Sequence, residues 1–377
     1  MTSSRRVIGW ALAAVAAVVV LGVVIAVALA PIPTREAAHR PVAASVARDA
    51  ALAAKKAKSD HTIATLVNAG QPGCSAAVAR LGRVVWAGAA GLADLATKTP
   101  DTTTTRFDMA SLSKQFTATA ILMLQRQGKL KLSDPIAKYV DGLPAWGATI
   151  TLEQLMHHTS HIPDYWVVLA QQGIGFGQPA DQQTTVNAIR REKKLSPGTG
   201  FEYSNSNYVL LAEVVGRVSG TPLPQFLGDH IFTPLGLKMV VAPAIIAPDV
   251  ALSYDDNLQL QQPAWTAYGY SGIVTTPSEL ARWGDQYRAG TIIGPDFAVG
   301  AVDDGEGDNQ KYGAGIYIQA KGGLNHAGRI GGYVTSFAVS HDRLTTIVVM
   351  CNGHTSPRWP LADALWKIWD PTSSSGH

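Results

Sequence analysis

The chain opens on an uncharged apolar run over residues 7–30, preceded by Arg5 and Arg6 and ended by Pro31. A stretch of that length can cross the hydrocarbon core of a bilayer as a helix. It is also longer than the apolar core of a cleaved signal peptide. The pattern therefore predicts a transmembrane helix, an uncleaved anchor in residues 1–30 that meets the membrane through residues 7–30. Residues 31–60 read as a tether and the start of a helix. Three prolines fall in 31–47, and an alanine- and lysine-rich pattern then runs over 50–67 to Gly70.

Beyond this point the apolar runs shorten. Residues 74–79 and 83–89 predict two strands around Leu81-Gly82, a hairpin signal. A helical stripe follows over 110–127, formed by Leu112, Phe116, Ala120, Met123 and Leu124, with Gly128 as its C-cap. From 134 to about 260 the pattern is mostly helical, broken by loops rich in Gly, Pro, His and Asn, and 208–218 is its clearest helix. The last third turns to short β-branched or aromatic runs at 313–319, 332–340 and 344–351, which read as consecutive antiparallel strands. A helix over 360–369, with Leu361, Leu365, Trp366 and Trp369 on its buried side, closes the domain. This order predicts an α/β fold of the α+β type: a mainly antiparallel sheet built from both chain ends, covered by helices, with an inserted helical lobe. The domain spans 61–370, leaving a tail at 371–377.

Composition adds an ample core, since 46% of the 377 residues are hydrophobic. The net charge of +3 comes from the N-terminal part, where residues 1–60 hold 8 Lys and Arg against 3 Asp and Glu, and the remainder is slightly acidic. That distribution gives no basic face for nucleic acid, and basic residues beside an apolar span are read as lipid-facing or solvated. Arg35, Arg40 and Arg48 balance the charges before the span, so charge alone does not orient it. A short N-terminal tail usually stays inside and large domains translocate, which predicts a single-pass protein of the cell membrane with its large domain extracytoplasmic. Cys74 and Cys351 are too few for a disulfide scaffold and lack metal-ligand spacing. Two buried thiols are the plainer reading, with a single bridge open outside the cytoplasm.

The chemistry begins at Ser111-Leu112-Ser113-Lys114. Residues three apart on a helix share a face, so Ser111 and Lys114 can touch. A serine needs a neighbouring base to become nucleophilic, and a lysine shielded from water can lose its proton and serve. Such a spacing recurs by chance about once in a chain of this length, so its context decides. That context holds Tyr203-Ser204-Asn205 before a helix and His326-Ala327-Gly328 where a strand could start. No G-x-S-x-G nucleophile elbow occurs, which argues against an α/β-hydrolase. His157, His158 and His161 lack the H-E-x-x-H arrangement of a zinc helix.

With the order S-x-x-K, Y-x-N, H-x-G, the chain resembles the serine β-lactamase and penicillin-binding-protein superfamily, nearest its class C branch with D-peptidases and esterases. Supporting text includes Gln127-Gly128-Lys129-Leu130 running to Asp134-Pro135, and His158-Thr159-Ser160. Ser196-Pro197-Gly198-Thr199 and Pro234-Leu235-Gly236-Leu237 extend it, so that the likeness covers roughly 61–370. The resemblance implies Ser111 as acylated nucleophile, with Lys114 and Tyr203 as the proton carriers and the base unassigned between them. A phenol beside a lysine ammonium is expected to ionise more readily. It implies Asn205, His326, Gly328 and Arg329 as substrate-binding residues. Asn205 would hold Lys114 and the substrate amide, Gly328 would let the substrate approach the strand, and the backbone N–H groups of Ser111 and Arg329 would form the oxyanion hole. The first and last strands of that family's sheet are antiparallel neighbours, which implies that Cys74 lies near Cys351.

Departures shape the expectation. His161 stands where relatives have glycine, so the local backbone is expected to differ. His326 replaces a lysine, weakening a fixed positive charge that Arg329 could supply instead. The glutamate motif of class A β-lactamases is absent, leaving deacylation to Lys114 and Tyr203. The expected function is a membrane-anchored serine hydrolase cleaving an amide or ester (a D-amino-acid peptide, a short ester or a β-lactam), with a small-molecule or peptide substrate that includes peptidoglycan fragments. The alternative is a penicillin- or peptidoglycan-binding receptor that does not turn over. Serine acyl transfer implies no cofactor and no metal.

Overall fold

The computed structural model describes residues 35–175, 178–262, 264–290 and 292–371. The apolar run expected to form a transmembrane helix lies outside the described residues, and among the described residues no helix is long and apolar enough to cross a membrane. Contacts divide the chain into residues 1–54 and 55–377. In the first unit the described residues are helical, part of helix α1 (Arg35–Leu66). Helix therefore begins inside the stretch expected to be a tether. Pro41 removes one backbone donor, but the alanines around it have the highest helix propensity and carry the helix through.

The second unit is built on an eight-stranded sheet. Strands β1 (Cys74–Arg80) and β2 (Arg83–Ala90) form the expected hairpin, turning through Leu81 and Gly82, both at positive φ. A small three-stranded sheet joins β3 (Phe107–Asp108), β4 (Val240–Val241) and β5 (Ile273–Thr275). The main sheet then gains β6 (Val302–Asp303), β7 (Lys311–Tyr312), β8 (Tyr317–Ile318), β9 (Leu324–Ile330), β10 (Tyr333–Val339) and β11 (Thr345–Cys351). Its order is β2-β1-β11-β10-β9-β8-β7-β6, every pair antiparallel. First and last strands are thus neighbours, as the family resemblance implied. Their register sets Cys74 opposite Cys351, and the two form a disulfide across a Cα separation of 4.0 Å.

Two strand expectations needed correction. The run at 313–319 is broken: Gly315, at φ 71, passes so close to the Lys114 carbonyl that a Cβ would lie 2.6 Å from it. Strand geometry yields there to backbone contact. Conversely, His326 sits in the middle of β9 rather than at its start, because the run around it is too polar to read as a strand.

Helices cover the sheet and fill the insertion. Between β3 and β5 come α2 (Lys114–Arg126), α3 (Tyr165–Gln171), α4 (Gln182–Arg191) and α5 (Asn205–Ser219), and after them α6 (Pro277–Trp283) and α7 (Arg358–Trp369). Helix α6 packs on β1, β2 and β11, α7 on β10 and β11, and α2 on α5. Residues 55–66 of α1 dock on α7, where Lys55 Nζ donates to the Trp369 carbonyl and Trp369 Nε1 to Ser59 Oγ.

Candidate active site

Strand β3 ends at Asp108, a buried carboxylate whose Oδ1 accepts from Ala110 N at 2.8 Å and Gly272 N at 3.3 Å. Burial raises its pKa to about 6. The grip holds Ala110 at φ 53, a left-handed conformation unfavourable for an L-residue. The α-helix expected from 110 cannot begin there, so residues Ala110–Ser113 form a 3₁₀ turn and α2 starts at Lys114. Ser111 rides on that turn, one residue after the strained position.

Lys114 is fully buried, and its Nζ has three near partners. It donates to Asn205 Oδ1 at 2.7 Å and to the Tyr270 carbonyl at 3.1 Å, and lies 3.1 Å from Ser111 Oγ. Burial holds the amine well below the ordinary lysine range, with the charge of Asp164 pulling weakly the other way. A neutral amine has two N–H groups. In that form both would go to the two carbonyl oxygens, leaving the lone pair to accept from the serine hydroxyl.

Asn205 opens α5, and its orientation is fixed from behind. Its Nδ2 and its backbone N both donate to Asp164 Oδ2, at 2.8 and 2.9 Å. The other oxygen of Asp164 caps α3 by accepting from Trp166 N. One carboxylate thus serves two helix starts, where negative charge is favoured. Its pKa is raised, burial outweighing the Asn205 N–H groups and Lys114.

Tyr203 stacks on His158, with centroids 4.2 Å apart, and presents its ring face to Lys114 Nζ at 4.8 Å. Its phenol bonds the Ser111 hydroxyl, yet burial outweighs this and pushes the pKa well above the ordinary range. The expectation that a neighbouring ammonium would ease ionisation is overturned: the amine is itself shifted toward its neutral form. His158 Nδ1 accepts from Ser204 N and contacts Asn207 Nδ2, locking the loop behind Tyr203. His161 keeps the left-handed backbone that glycine would favour, at φ 57. Its Nδ1 pairs with Glu202 Oε2 at 2.8 Å and its carbonyl accepts from Ser196 N, contacts that offset the strain.

His326 is buried and neutral. Its Nδ1 donates to the Ala327 carbonyl at 2.6 Å, so Nε2 accepts from Tyr312 Oη at 3.2 Å. Burial, with Lys114 assisting, lowers its pKa to about 3. It packs against the Tyr203, Tyr312 and Tyr317 rings rather than touching Ser111. Gly328 does admit a close neighbour, but that neighbour is the turn bearing Ser111: a Cβ would lie 2.8 Å from Ala110 Cβ and from the Met109 carbonyl. Pairing of β9 with β8 stops at Asn325, so the β9 edge from His326 onward is left open beside that turn. Arg329 is exposed and lines, with Ser111 and Asn205, a cavity of about 340 Å³.

The sequence reading missed Asp108, Asp164, the Tyr270 carbonyl and the stacking role of His158. Asp164 had a legible signal, an acidic residue just before an apolar helical run.

A family model described as Beta-lactamase matches residues 55–367. A protein of Bacillus subtilis (strain 168), named as a penicillin-binding protein, is 29% identical over 297 residues, covering 74% of this chain and 70% of the relative. A D-aminopeptidase of Brucella anthropi is 28% identical over 300 residues, 74% of this chain and 56% of the relative. The chain thus spans little more than half the length of that enzyme. Among solved structures, EstCE1, a hydrolase with promiscuous acyltransferase activity, aligns with a TM-score of 0.69 over 85% of this chain and 99% of its own, at 21% identity. Similarity at that identity speaks for the fold.

Proposed function

Because the chain belongs to the beta-lactamase family and carries a serine hydrolase's machinery, we propose that it opens an amide or ester through an acyl-enzyme at Ser111. The observation that carries this reading is the buried Lys114 amine, its Nζ 3.1 Å from Ser111 Oγ and bonded to two carbonyl oxygens, with burial driving it toward the neutral form that can take the serine proton. Ser111 Oγ attacks the carbonyl carbon and its proton passes to Lys114 Nζ. Backbone N–H groups of Ser111 and Arg329 receive the oxyanion. Tyr203, held as a phenol, relays the proton to the leaving nitrogen or oxygen. A water then repeats the sequence and releases the acid. Lys114 is thereby the base and Tyr203 the acid of the first step.

Arg329 supplies the fixed positive charge of the cavity rim, since His326 is neutral. This favours a peptide or ester whose leaving side bears a carboxylate over efficient β-lactam hydrolysis, and includes D-amino-acid peptides and peptidoglycan fragments. The enzyme acts at the cell membrane, anchored by residues 7–30, with its domain outside the cytoplasm. The apolar run supports that placement, and so does the Cys74–Cys351 bridge, since disulfides persist in oxidising compartments. Intact-mass analysis of the full chain after a fluorophosphonate probe tests the core of the reading. Labelling is expected in the parent and absent in Ser111→Ala; equal labelling of both would sink it. A stable adduct without product release on ester substrates would identify a receptor instead.

A further inference from the structure

The cavity at Ser111 is polar on one side and aromatic on the other. From its depth outward, Tyr270 contacts Tyr165, with centroids 4.9 Å apart, and Tyr165 meets Trp265 edge-on at 5.5 Å. Lys114 Nζ lies 5.5 Å from the Tyr270 centroid, so this wall reaches the amine itself. At the mouth stands Trp166, 52% exposed although it belongs to the same lining. Trp166 joins the buried rings of Tyr165, Trp265 and Tyr270 in one lining, so its exposed face continues an aromatic wall rather than standing alone on the surface. The opposite rim carries Gln261, Arg329 and His354, the last paired with Asp256 at 2.7 Å.

Among the described residues, no Asp or Glu lines this cavity. Asp164 stands behind Asn205, with both oxygens already accepting bonds. An acyl group bearing a free ammonium would find Arg329 in the lining, and the carboxylate at the rim, Asp256, already paired with His354. At about 340 Å³ the cavity is near the small end of ligand sites, yet it far exceeds what an acetyl or alanyl methyl fills.

Resting on the serine-hydrolase reading above, we propose that the acyl group accepted by Ser111 is an uncharged arylalkanoyl group. Its ring extends the Tyr270–Tyr165–Trp265 wall and is covered by Trp166. Aromatic pairs gain from ring geometry beyond their buried area, so an aryl ring is preferred over a saturated ring of the same size. In the reaction the acyl carbon exchanges its bond to the leaving sulfur, oxygen or nitrogen for one to Ser111 Oγ. The leaving atom takes up the serine proton, and water then frees the arylalkanoic acid.

The test uses the full chain and S-methyl thioesters of acetic, 3-cyclohexylpropanoic, 3-phenylpropanoic and D-phenylalanine acids, followed by thiol release. The 3-phenylpropanoyl thioester is expected to exceed the acetyl one by at least tenfold in kcat/KM. It should exceed the cyclohexyl and D-phenylalanyl ones by at least threefold. Trp166→Ala, a change at a half-exposed position, is expected to cut the phenylpropanoyl-to-acetyl ratio by at least threefold, and Trp265→Leu to do so more strongly. If the parent labels with fluorophosphonate at Ser111 but the series is flat, or the cyclohexyl or D-phenylalanyl thioester leads, the arylalkanoyl assignment falls alone. If Ser111 takes no label, the hydrolase reading falls with it.

Discussion

At the scale of single residues, the site is organised by which charges burial forbids. Lys114 and His326 both lie in the interior, and both are driven toward their neutral forms. Asp164 is the opposing influence, a carboxylate that raises the Lys114 pKa and holds Asn205 by two N–H bonds. Replacing it by asparagine removes the charge but keeps a carbonyl acceptor. The Lys114 amine should then protonate at lower pH, and the acid limb of the kcat/KM profile, which reports the free enzyme's base, should move to lower pH. Bonds to a charged acceptor contribute about 1.5–3 kcal/mol, so Asp164→Asn should also lose about tenfold or more in kcat/KM at neutral pH. A pH–rate series on one ester measures both. An acid limb that stays put or moves upward would show that Lys114 is not the group titrating. The residues that carry this argument differ in how legible they were. Ser111 and Lys114 could be picked from their spacing once the Tyr203-Ser204-Asn205 and His326-Ala327-Gly328 motifs gave it context, whereas the Tyr270 carbonyl is a backbone atom that no side-chain pattern announces. The effect of burial on Tyr203 was invisible too, because sequence reveals a neighbour's charge more readily than its desolvation.

At the scale of elements, the setting of Ser111, the proposed nucleophile, depends on how closely a turn and a strand approach. The 3₁₀ turn of Ala110–Ser113 packs against β9 and β10, and Thr335 Oγ1 donates to the Met109 carbonyl at 3.0 Å. Gly328 makes the approach feasible, because a methyl group there meets Met109 O and Ala110 Cβ at 2.8 Å. Gly328→Ala should therefore push β9 away from Ser111. Overpacking of this kind costs about 1–3 kcal/mol, read in urea unfolding, and kcat should fall more than KM rises, because the displaced strand carries the proposed oxyanion donor, the Arg329 backbone N–H. Combining it with Thr335→Ala removes one contact but not the two from the turn, so the double variant should remain impaired. Full recovery there would place the cause in Thr335 rather than in the turn. Periodicity captured the long, one-sided elements well: the expected helix over 208–218 lies inside α5, and both hairpin strands were found nearly to the residue. It failed where tertiary contact overrides local preference, at Ala110, at Gly315 and along the polar strand β9.

At the scale of the whole molecule, the two ends of the domain meet in one sheet, with β1 beside β11. Hydrogen bonds alone would leave that seam dependent on strands far apart in sequence, whose pairing carries a large loop-closure cost in folding. The Cys74–Cys351 bridge spans 277 positions and closes that loop covalently. Composition alone favoured two buried thiols, since a pair of cysteines carries no topology; only the order of strands brings these two together. Removing a native bridge typically costs about 2–5 kcal/mol, and chain entropy, acting mainly on the unfolded chain, puts a loop this long at the upper end. Both cysteines are fully buried, so a reductant should not reach them until the seam opens. Two results are therefore expected. Without denaturant, thiol titration of the native protein under reductant should be slow, following opening rather than collision. In urea, the reduced protein should unfold at a clearly lower midpoint than the oxidised one, and the paired Cys74→Ala and Cys351→Ala variant should match the reduced form. Coincident midpoints would mean that packing between β1, β11 and α6 holds the seam unaided. Rapid thiol release from the folded protein would mean that the edge of the sheet frays where the structure closes it.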